Sequence, residues 1–350
     1  MKIPVNEKRV KWIDLVKVIA IIIVLMNHIG LAIPGLNAAG GLFYVPVFFV
    51  LAGFTYHRKE ESFKRYLKRK AKRLLVPYFG YSAFLFLFYF LKEFITTGSI
   101  TGQMFFPVLG AIYGRNSLFH LGAASNISFL TIWNAPMWFL PALFLTSVLM
   151  ELVLRMNCKS CKNIGLLTSI LVFVGIMLHY LCKLLLPWSL DSAFLFLLYM
   201  VAGYAMAKYN WLELFRRRLW MPGLLLALCM VGYFVNGSAN ISVGEFGGSV
   251  LLGLFIGVAA SYLIMFVCYL IDRWIPWGIC VVGEKTIQIL CLHLWVFMFF
   301  LTGANAIAPQ LLGLGVAGMI YKTLMILITM GVITAVSYQI DEVRDRRLQR

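Results

Sequence analysis

The fold of this chain is set by an apolar run near its N-terminus, residues 12–33, which reads WIDLVKVIAIIIVLMNHIGLAI. An α-helix needs roughly 20 such residues to cross the hydrocarbon core of a bilayer. The run follows Lys8, Arg9 and Lys11, as a signal peptide would, but it is long for a signal and contains polar residues. We therefore interpret it as a retained membrane helix.

The composition of the whole chain is also strongly apolar. Of its 350 residues 61% are hydrophobic and 13% are charged, and the mean hydropathy is +0.87. Soluble domains are roughly 45–50% apolar and about 25% charged, so a soluble enzyme is excluded. An aromatic fraction of 15% also excludes disorder. The composition predicts a polytopic membrane protein.

The pattern of apolar runs predicts an all-α integral membrane protein, a bundle of about ten transmembrane helices. No internal repeat of the kind found in many transporters is visible. We expect one membrane domain over residues 1–350, with short basic tails at 1–11 and 341–350. The predicted spans are 12–33, 41–57, 74–94, 136–154, 163–183, 190–207, 219–236, 246–271, 278–303 and 315–340.

The charge of the chain is strongly positive, with 31 Lys and Arg against 14 Asp and Glu and a net charge of +17. In a soluble protein this would suggest nucleic acid as a partner. In a membrane protein, lysine and arginine instead collect in the cytoplasmic loops. With ten spans and the N-terminus inside, most of the basic residues fall on the inner side. We therefore predict cytoplasmic termini, a bilayer as partner and no nucleic acid.

Three ionisable residues, Asp14, Lys17 and His28, lie within the first span. Such residues are costly in a membrane and tend to be functional. At about 100° per residue, Lys17 and His28 lie within about 20° of each other, and Asp14 is one turn from Lys17, so all three share a helix face. Asp14 and Lys17 can pair or reach the interface. His28 is too deep for that, and it is either bonded to a neighbour for structural reasons or a general base facing a pocket. We favour the general base.

Residues 58–73 form a predicted loop between the second and third spans, and they hold nine lysines and arginines in sixteen positions. We call them the basic segment. Anionic lipid headgroups would suit such a segment. A polyphosphate ligand would suit it equally, because lysine binds phosphate as a point charge and arginine binds it as a fork. The two interpretations are compatible, and the sequence does not choose between them.

Two other residues stand out within predicted spans. His293 is a second intramembrane imidazole, with the same two interpretations as His28. Trp138 lies in the sequence PMWFLP at 136–141, at the predicted external start of a span, where tryptophan is often only an interface anchor.

Small residues and cysteines give weaker signals. Small side chains permit close approach of helices, and here they occur at Gly40, Gly41, Ala52 and Gly53. The pair Cys158 and Cys161 has no second pair and no nearby histidine, so we expect no metal site. The aromatic-rich segment 95–135 is poor in charge, and we expect it to fold back onto the membrane or the bundle.

Taken in order, these motifs resemble the acyltransferase-3 family of bacterial integral membrane acyltransferases. The resemblance is greatest to its branch of fucose 4-O-acetylase-like proteins and enterobacterial-common-antigen O-acetyltransferases. The family's basic residue, ten-residue spacer and histidine correspond to Lys17 and His28. The partial glycine and phenylalanine block corresponds to Gly40, Gly41, Phe48, Phe49 and Gly53, and the F…(R/K)xx(R/K)…PY block corresponds to Phe63, Lys70, Arg73, Pro77 and Tyr78. The WFLPAL element corresponds to Trp138 to Leu143, and the late G-x-x-(S/T)…LH element corresponds to Gly283, Thr286, Leu292 and His293.

The chain departs from the family pattern at four positions. Lys17 replaces the common arginine, Ala52 replaces a serine, and Tyr44 stands where this branch often has histidine. Leu143 occupies a position that is glutamate in another branch. If the family's histidine or serine is essential for the reaction, the departures at Tyr44 and Ala52 would affect activity.

The resemblance implies transfer of an acyl group, most often acetyl, from cytoplasmic acyl-CoA to a hydroxyl of a cell-surface glycan or lipid-linked sugar. It implies the inner (plasma) membrane as location and no permanently bound cofactor, since acetyl-CoA is a donor substrate. Succinyl or another acyl donor, or a glycan or lipid transporter, are the alternatives. The implied site residues are catalytic His28, Asp14 and Lys17; CoA-binding Arg69, Lys70 and Arg73; and substrate-binding Trp138, His293 and Tyr44.

Overall fold

The structure is a computed structural model that describes residues 9–33, 35–115, 135–156, 161–182, 185–237, 239–313 and 315–348. Within these residues the chain forms α-helices joined by turns and short 3₁₀ segments, and no β-strand. Cys158 lies outside the described residues. In chain order the helices are α1 Lys11–Ile29, α2 Leu36–Gly41, α3 Pro46–Phe54, α4 Phe63–Thr97, α5 Phe106–Tyr113, α6 Phe139–Met156, α7 Cys161–Cys182, α8 Leu190–Lys208, α9 Trp211–Arg217, α10 Trp220–Asn236, α11 Val250–Leu270, α12 Trp277–Glu284, α13 Thr286–Ile307 and α14 Val316–Leu348.

Many of these helices are long and apolar enough to cross a membrane. In the described part of the chain eight qualify, or nine if α9 and α10, which meet at a bend of 103°, form one broken span. The predicted all-helical, multi-pass membrane protein is therefore confirmed. The count of ten spans and the side on which each terminus lies remain predictions.

The main difference from the predicted spans lies at 41–57. The chain forms α2, a turn at 42–45, and then α3, which starts with Pro46 and has nine residues. Nine helical residues rise only about 14 Å, which is less than half of the hydrocarbon thickness. A run that is continuous in hydropathy is thus interrupted in structure, because Gly40, Gly41 and Pro46 favour a break.

The basic segment also differs from its prediction as a loop, because most of it is helical. Ser62 caps α4 by accepting a hydrogen bond from the Arg65 backbone N–H at 3.3 Å. From this cap α4 continues for 35 residues through Pro77. Seven of the nine cations therefore occupy the first turns of the same helix that enters the predicted span 74–94.

The chain divides into two compact units. The terminal unit comprises Met1–Tyr44 and Tyr262–Arg350, and the central unit comprises Val45–Ser261. The prediction of one domain over 1–350 remains a prediction.

In the terminal unit, α1 runs in the same direction as α13. Near one end Gly283 packs directly on Asp14, and near the other His28 meets His293. Helix α14 runs the opposite way, because Lys322 bonds to Gly30 while later residues of α14 reach the start of α13. Helix α1 ends at Gly30, which has a left-handed φ of 68° that glycine adopts without strain.

In the central unit, α3 crosses α8 with their backbones in close contact. A side chain at Gly53 would collide with the Met200 carbonyl oxygen, and one at Gly203 would collide with that of Val50. The prediction of close helix approach is thus confirmed at Gly53. It is not confirmed at Gly41, where a side chain would meet nothing within 4 Å.

The start of the segment 95–135 folds back onto α4, as its composition predicts. The Tyr78 hydroxyl donates to the Ala111 carbonyl of α5 at 2.7 Å. Residues 116–134 of this segment lie outside the described residues.

We predict that Gly53→Ala lowers the thermal unfolding midpoint of the protein in detergent. The added methyl group meets backbone, which cannot move aside as a side chain can, and such overpacking costs about 1–3 kcal/mol. Gly41→Ala is the matched control and should leave the midpoint unchanged or slightly higher. Equal midpoints for the two variants would contradict this packing.

Candidate active site

The centre of the candidate site is a pair of histidines in the terminal unit. His28 lies in the last turn of α1, and its Nδ1 is 3.1 Å from Nε2 of His293 in α13. The ring centroids are 5.0 Å apart. His28 is exposed, whereas His293 is 0% exposed. The structure therefore brings together two residues that are 265 positions apart in sequence, and only His28 presents a free face.

The far ring nitrogen of His293 is also occupied. Its Nδ1 lies 3.0 Å from the carbonyl oxygens of both Ile289 and Leu290, one turn earlier in α13. The edge of the Phe297 ring covers another side of the imidazole. Both nitrogens of His293 thus have protein partners, and its predicted contact with substrate remains a prediction.

Polar groups that the sequence analysis did not select surround the end of α1. Lys322, buried in α14, donates from Nζ to the Gly30 carbonyl at 3.1 Å. Asn37 donates to the Asn27 side chain at 3.0 Å, which fixes the turn after α1 beside His28. Lys322 was detectable as an ionisable residue inside a predicted span, but its partner was not.

Asp14, one of the three residues on the predicted catalytic helix face, is the centre of an ion network. The carboxylate is 2% exposed and accepts from Lys17 Nζ at 3.0 Å, so of the two alternatives for these residues the structure shows the pairing. It also accepts from the guanidinium of Arg9, through Nε and through Nη2 at 3.1 Å. The hydrogen bond to Asp14 raises the pKa of Arg9 above its ordinary value.

This network extends beyond α1 through Arg9. Its Nη1 donates to Glu284 at the end of α12 at 2.7 Å, and the Tyr338 hydroxyl of α14 donates to the same carboxylate at 2.8 Å. Gly283 permits the arrangement, because any side chain there would meet the backbone and Cβ of Asp14. Three helices are thereby held at the end of the terminal unit that lies about 20 Å along α1 from His28.

The predicted CoA-binding residues lie on α4 in the central unit. Lys70 is half-buried against α6, where its Nζ reaches the Ser147 hydroxyl at 3.4 Å and lies near the Tyr66 ring. Arg69 is exposed and paired with Glu61, and its hydrogen bond lowers the pKa of that carboxyl group. Arg73 is exposed. One of the three predicted cations therefore has an acidic partner, and two remain available to an anionic ligand.

A buried carboxylate beside the basic segment was not predicted from the sequence. Glu151 of α6 is 3% exposed, accepts from the Tyr56 hydroxyl at 2.6 Å and pairs with Arg155 at 2.7 Å. Arg155 in turn donates to the Glu61 carbonyl at 2.8 Å. These bonds fasten the turn before α4 to α6 and so position the basic segment.

The remaining two predicted substrate contacts occupy different surroundings. Trp138 is buried in the central unit, with the guanidinium of Arg115 over its ring at 5.6 Å. Arg115 is itself fully buried and bonds to Asp191 at 2.8 Å. Tyr44 is half-buried in the turn after α2.

Within the described residues no group of three or more His, Cys, Asp or Glu side chains is placed to hold a metal ion.

Comparison with known proteins identifies one family. The sequence model of the acyltransferase-3 family, described as an acyltransferase domain, matches residues 10–338. No curated protein and no solved structure matches the chain significantly. The matched range includes both histidines, Asp14, Lys17 and the basic segment.

Proposed function

Because the chain belongs to the acyltransferase-3 family of membrane acyltransferases, we propose that it moves an acyl group from acyl-CoA to a hydroxyl of a cell-surface glycan or lipid-linked sugar. Acetyl is the acyl group that we propose first. The observation that carries this proposal is the exposed His28 imidazole, held at the end of a membrane helix by a fully buried partner. An imidazole can accept a hydroxyl proton near neutral pH. Acyl transfer to an alcohol requires such a base.

In the proposed reaction His28 takes the proton of the acceptor hydroxyl. The hydroxyl oxygen forms a bond to the thioester carbonyl carbon, and the carbon–sulfur bond then breaks. Protonated His28 returns its proton to the departing CoA thiolate, so that it ends the cycle as it began. No permanently bound cofactor takes part.

The donor is assigned to the basic segment. Acyl-CoA is a polyanion found in the cytoplasm, and the basic segment carries the highest density of cations in the chain. Exposed Arg73 and half-buried Lys70 are proposed to bind its phosphates, with Arg69 joining if phosphate displaces Glu61. This assignment includes a cytoplasmic location for the basic segment in the inner (plasma) membrane, as the distribution of positive charge favours.

Asp14 and Lys17 are proposed to support the site rather than to carry the proton. Asp14 uses both oxygens to hold Lys17 and Arg9. Among the described residues one hydrogen bond engages the Lys17 ammonium, which leaves donors for an anionic or amide group of the donor substrate. We also propose that Tyr44 and Trp138 contact the substrate.

Glycan analysis tests the proposal in the cell. A deletion strain should lose an ester-linked acyl group from a surface glycan or its lipid-linked precursor, as measured by mass spectrometry, and a plasmid copy should restore it. Unchanged acylation of every surface glycan would count against the proposal, and an added four-carbon acid in place of acetyl would identify succinyl as the donor group.

We predict that Arg73→Ala raises the KM for acyl-CoA about 3- to 10-fold and leaves the KM for the acceptor within about 2-fold, since one exposed ionic contact contributes up to about 1 kcal/mol or somewhat more. Steady-state assays with each substrate varied separately measure this. Arg218→Ala removes another exposed arginine and changes the net charge equally, so it is the matched control. The same increase in both variants would show a general effect of charge and contradict a phosphate site at Arg73.

A further inference from the structure

The hydrogen bonds of His293 fix the position of its own proton. Its Nδ1 faces two carbonyl oxygens, those of Ile289 and Leu290, each at 3.0 Å. Carbonyl oxygens only accept hydrogen bonds. Nδ1 of His293 must therefore carry a hydrogen and donate it into α13.

The proton between the two histidines can then be placed. If Nε2 of His293 also carried a hydrogen, the ring would be a cation in a position that is 0% exposed, and no carboxylate in the described part of the chain pairs with it. Burying an unpaired charge is costly. Nε2 of His293 is therefore bare, and at 3.1 Å it accepts from Nδ1–H of His28.

The same bond decides which nitrogen of His28 is basic. With the hydrogen on Nδ1, neutral His28 has its lone pair on Nε2, the nitrogen that His293 does not engage. His28 is exposed, and it lies at the C-terminal end of α1, where the helix dipole favours a cation. The backbone of Val24, one turn earlier in α1, also interacts with the His28 side chain, and His293 supplies the side-chain acceptor at Nδ1.

We propose that His293 is a positioning residue that orients the His28 ring and holds it in the Nδ1–H tautomer, so that Nε2 is the atom that accepts a proton. The catalytic use of this tautomer rests on the proposed function; the tautomer itself does not. When Nε2 gains a proton, Nδ1–H remains bonded to His293, and His293 itself stays neutral. This is the role that the aspartate plays in a serine-protease triad, performed here by a neutral imidazole.

Two substitutions separate this role from simple packing. In His293→Gln the side-chain oxygen can accept from Nδ1–H of His28, whereas His293→Leu fills similar space with no acceptor. We expect His293→Leu to lower kcat about 100-fold or more, in line with the loss of general-base efficiency, with the KM for acyl-CoA within about 2-fold of wild type. His293→Gln should recover at least about a tenth of the wild-type kcat. Equal kcat for His293→Leu and wild type would overturn the positioning role, as would equal losses in both variants.

The tautomer can be observed directly by nitrogen-15 NMR of the purified, histidine-labelled protein in lipid nanodiscs, with His28→Gln used to assign the signals. Wild-type His28 should show a protonated Nδ1 and a bare Nε2, and His293→Leu should shift part or all of the signal to the other tautomer. A protonated Nε2 with a bare Nδ1 in the wild type would overturn the inference. This measurement needs no substrate, so a protein that shows the predicted tautomer but transfers no acyl group would disprove the proposed function and leave the tautomer assignment standing.

Discussion

Replacing His28 with alanine should lower kcat for acyl transfer about 10²- to 10⁴-fold, the range that a general acid–base group contributes. The substitution removes the only exposed ring of the histidine pair. The KM for acyl-CoA should change little, because the residues proposed to bind CoA lie on α4 in the other unit. An interaction made only in the transition state affects kcat and kcat/KM equally.

A further imidazole within a membrane helix, outside the histidine pair, gives the matched control. His179 of α7 is half-buried and contacts the rings of Tyr180 and Phe246. His179→Ala should retain kcat within about 2-fold. If His28→Ala retains wild-type kcat while inserted and folded, His28 is not the base and the mechanism fails.

Asp14→Asn should destabilise the protein by about 2–4 kcal/mol. Its carboxylate is 2% exposed and is the common acceptor for Arg9 and Lys17. Breaking a buried ion pair costs about 3–5 kcal/mol, and we reduce this because Arg9 and Lys17 are 24% and 28% exposed. An amide has a single acceptor oxygen, and its NH₂ would face the two cations.

Thermal unfolding in detergent measures the effect, and the same samples report how much folded protein is recovered. Glu342→Gln is the control, since Glu342 is an exposed carboxylate paired with Arg346 one turn away in α14, and such pairs contribute about 0.5 kcal/mol or less. A midpoint for Asp14→Asn no lower than for Glu342→Gln would mean that the network does not hold the terminal unit together.

Contacts within one helix could be predicted from the sequence. The spacing from Asp14 to Lys17 specifies a shared face whatever the rest of the chain does, and their bond at 3.0 Å follows from it. Hydropathy alone likewise identified a multi-pass helical protein. These predictions succeed because they depend only on helix geometry and on the solvent that surrounds it.

Partners from elsewhere in the chain could not be predicted in the same way. Helical periodicity places His28 and His293 on faces of their own helices, but it does not say that these faces meet. The resemblance to the family implied that both are site residues, and the structure shows that they are in contact. Arg9, Glu284 and Lys322 were missed for the same reason, although Lys322 was visible as an ionisable residue in a span.

Helix breaks were the other source of difference. A hydropathy average over 41–57 counts apolar residues and is insensitive to Gly40, Gly41 and Pro46, where the chain turns before α3. The basic segment was interpreted as a loop because of its charge, although lysine and arginine are good helix formers and Ser62 supplies the cap. Local backbone preferences overrode the composition at both places.

The most direct test is acyl transfer by the purified protein in lipid nanodiscs, given acetyl-CoA labelled in its acyl group and a membrane fraction of lipid-linked sugars and glycans. Labelled ester on the acceptor and free CoA thiol are measured together for the wild type, His28→Ala and His179→Ala. We predict equal amounts of ester and thiol from the wild type and from His179→Ala, and neither above background from His28→Ala. Transfer by His28→Ala at the wild-type rate would contradict the central claim.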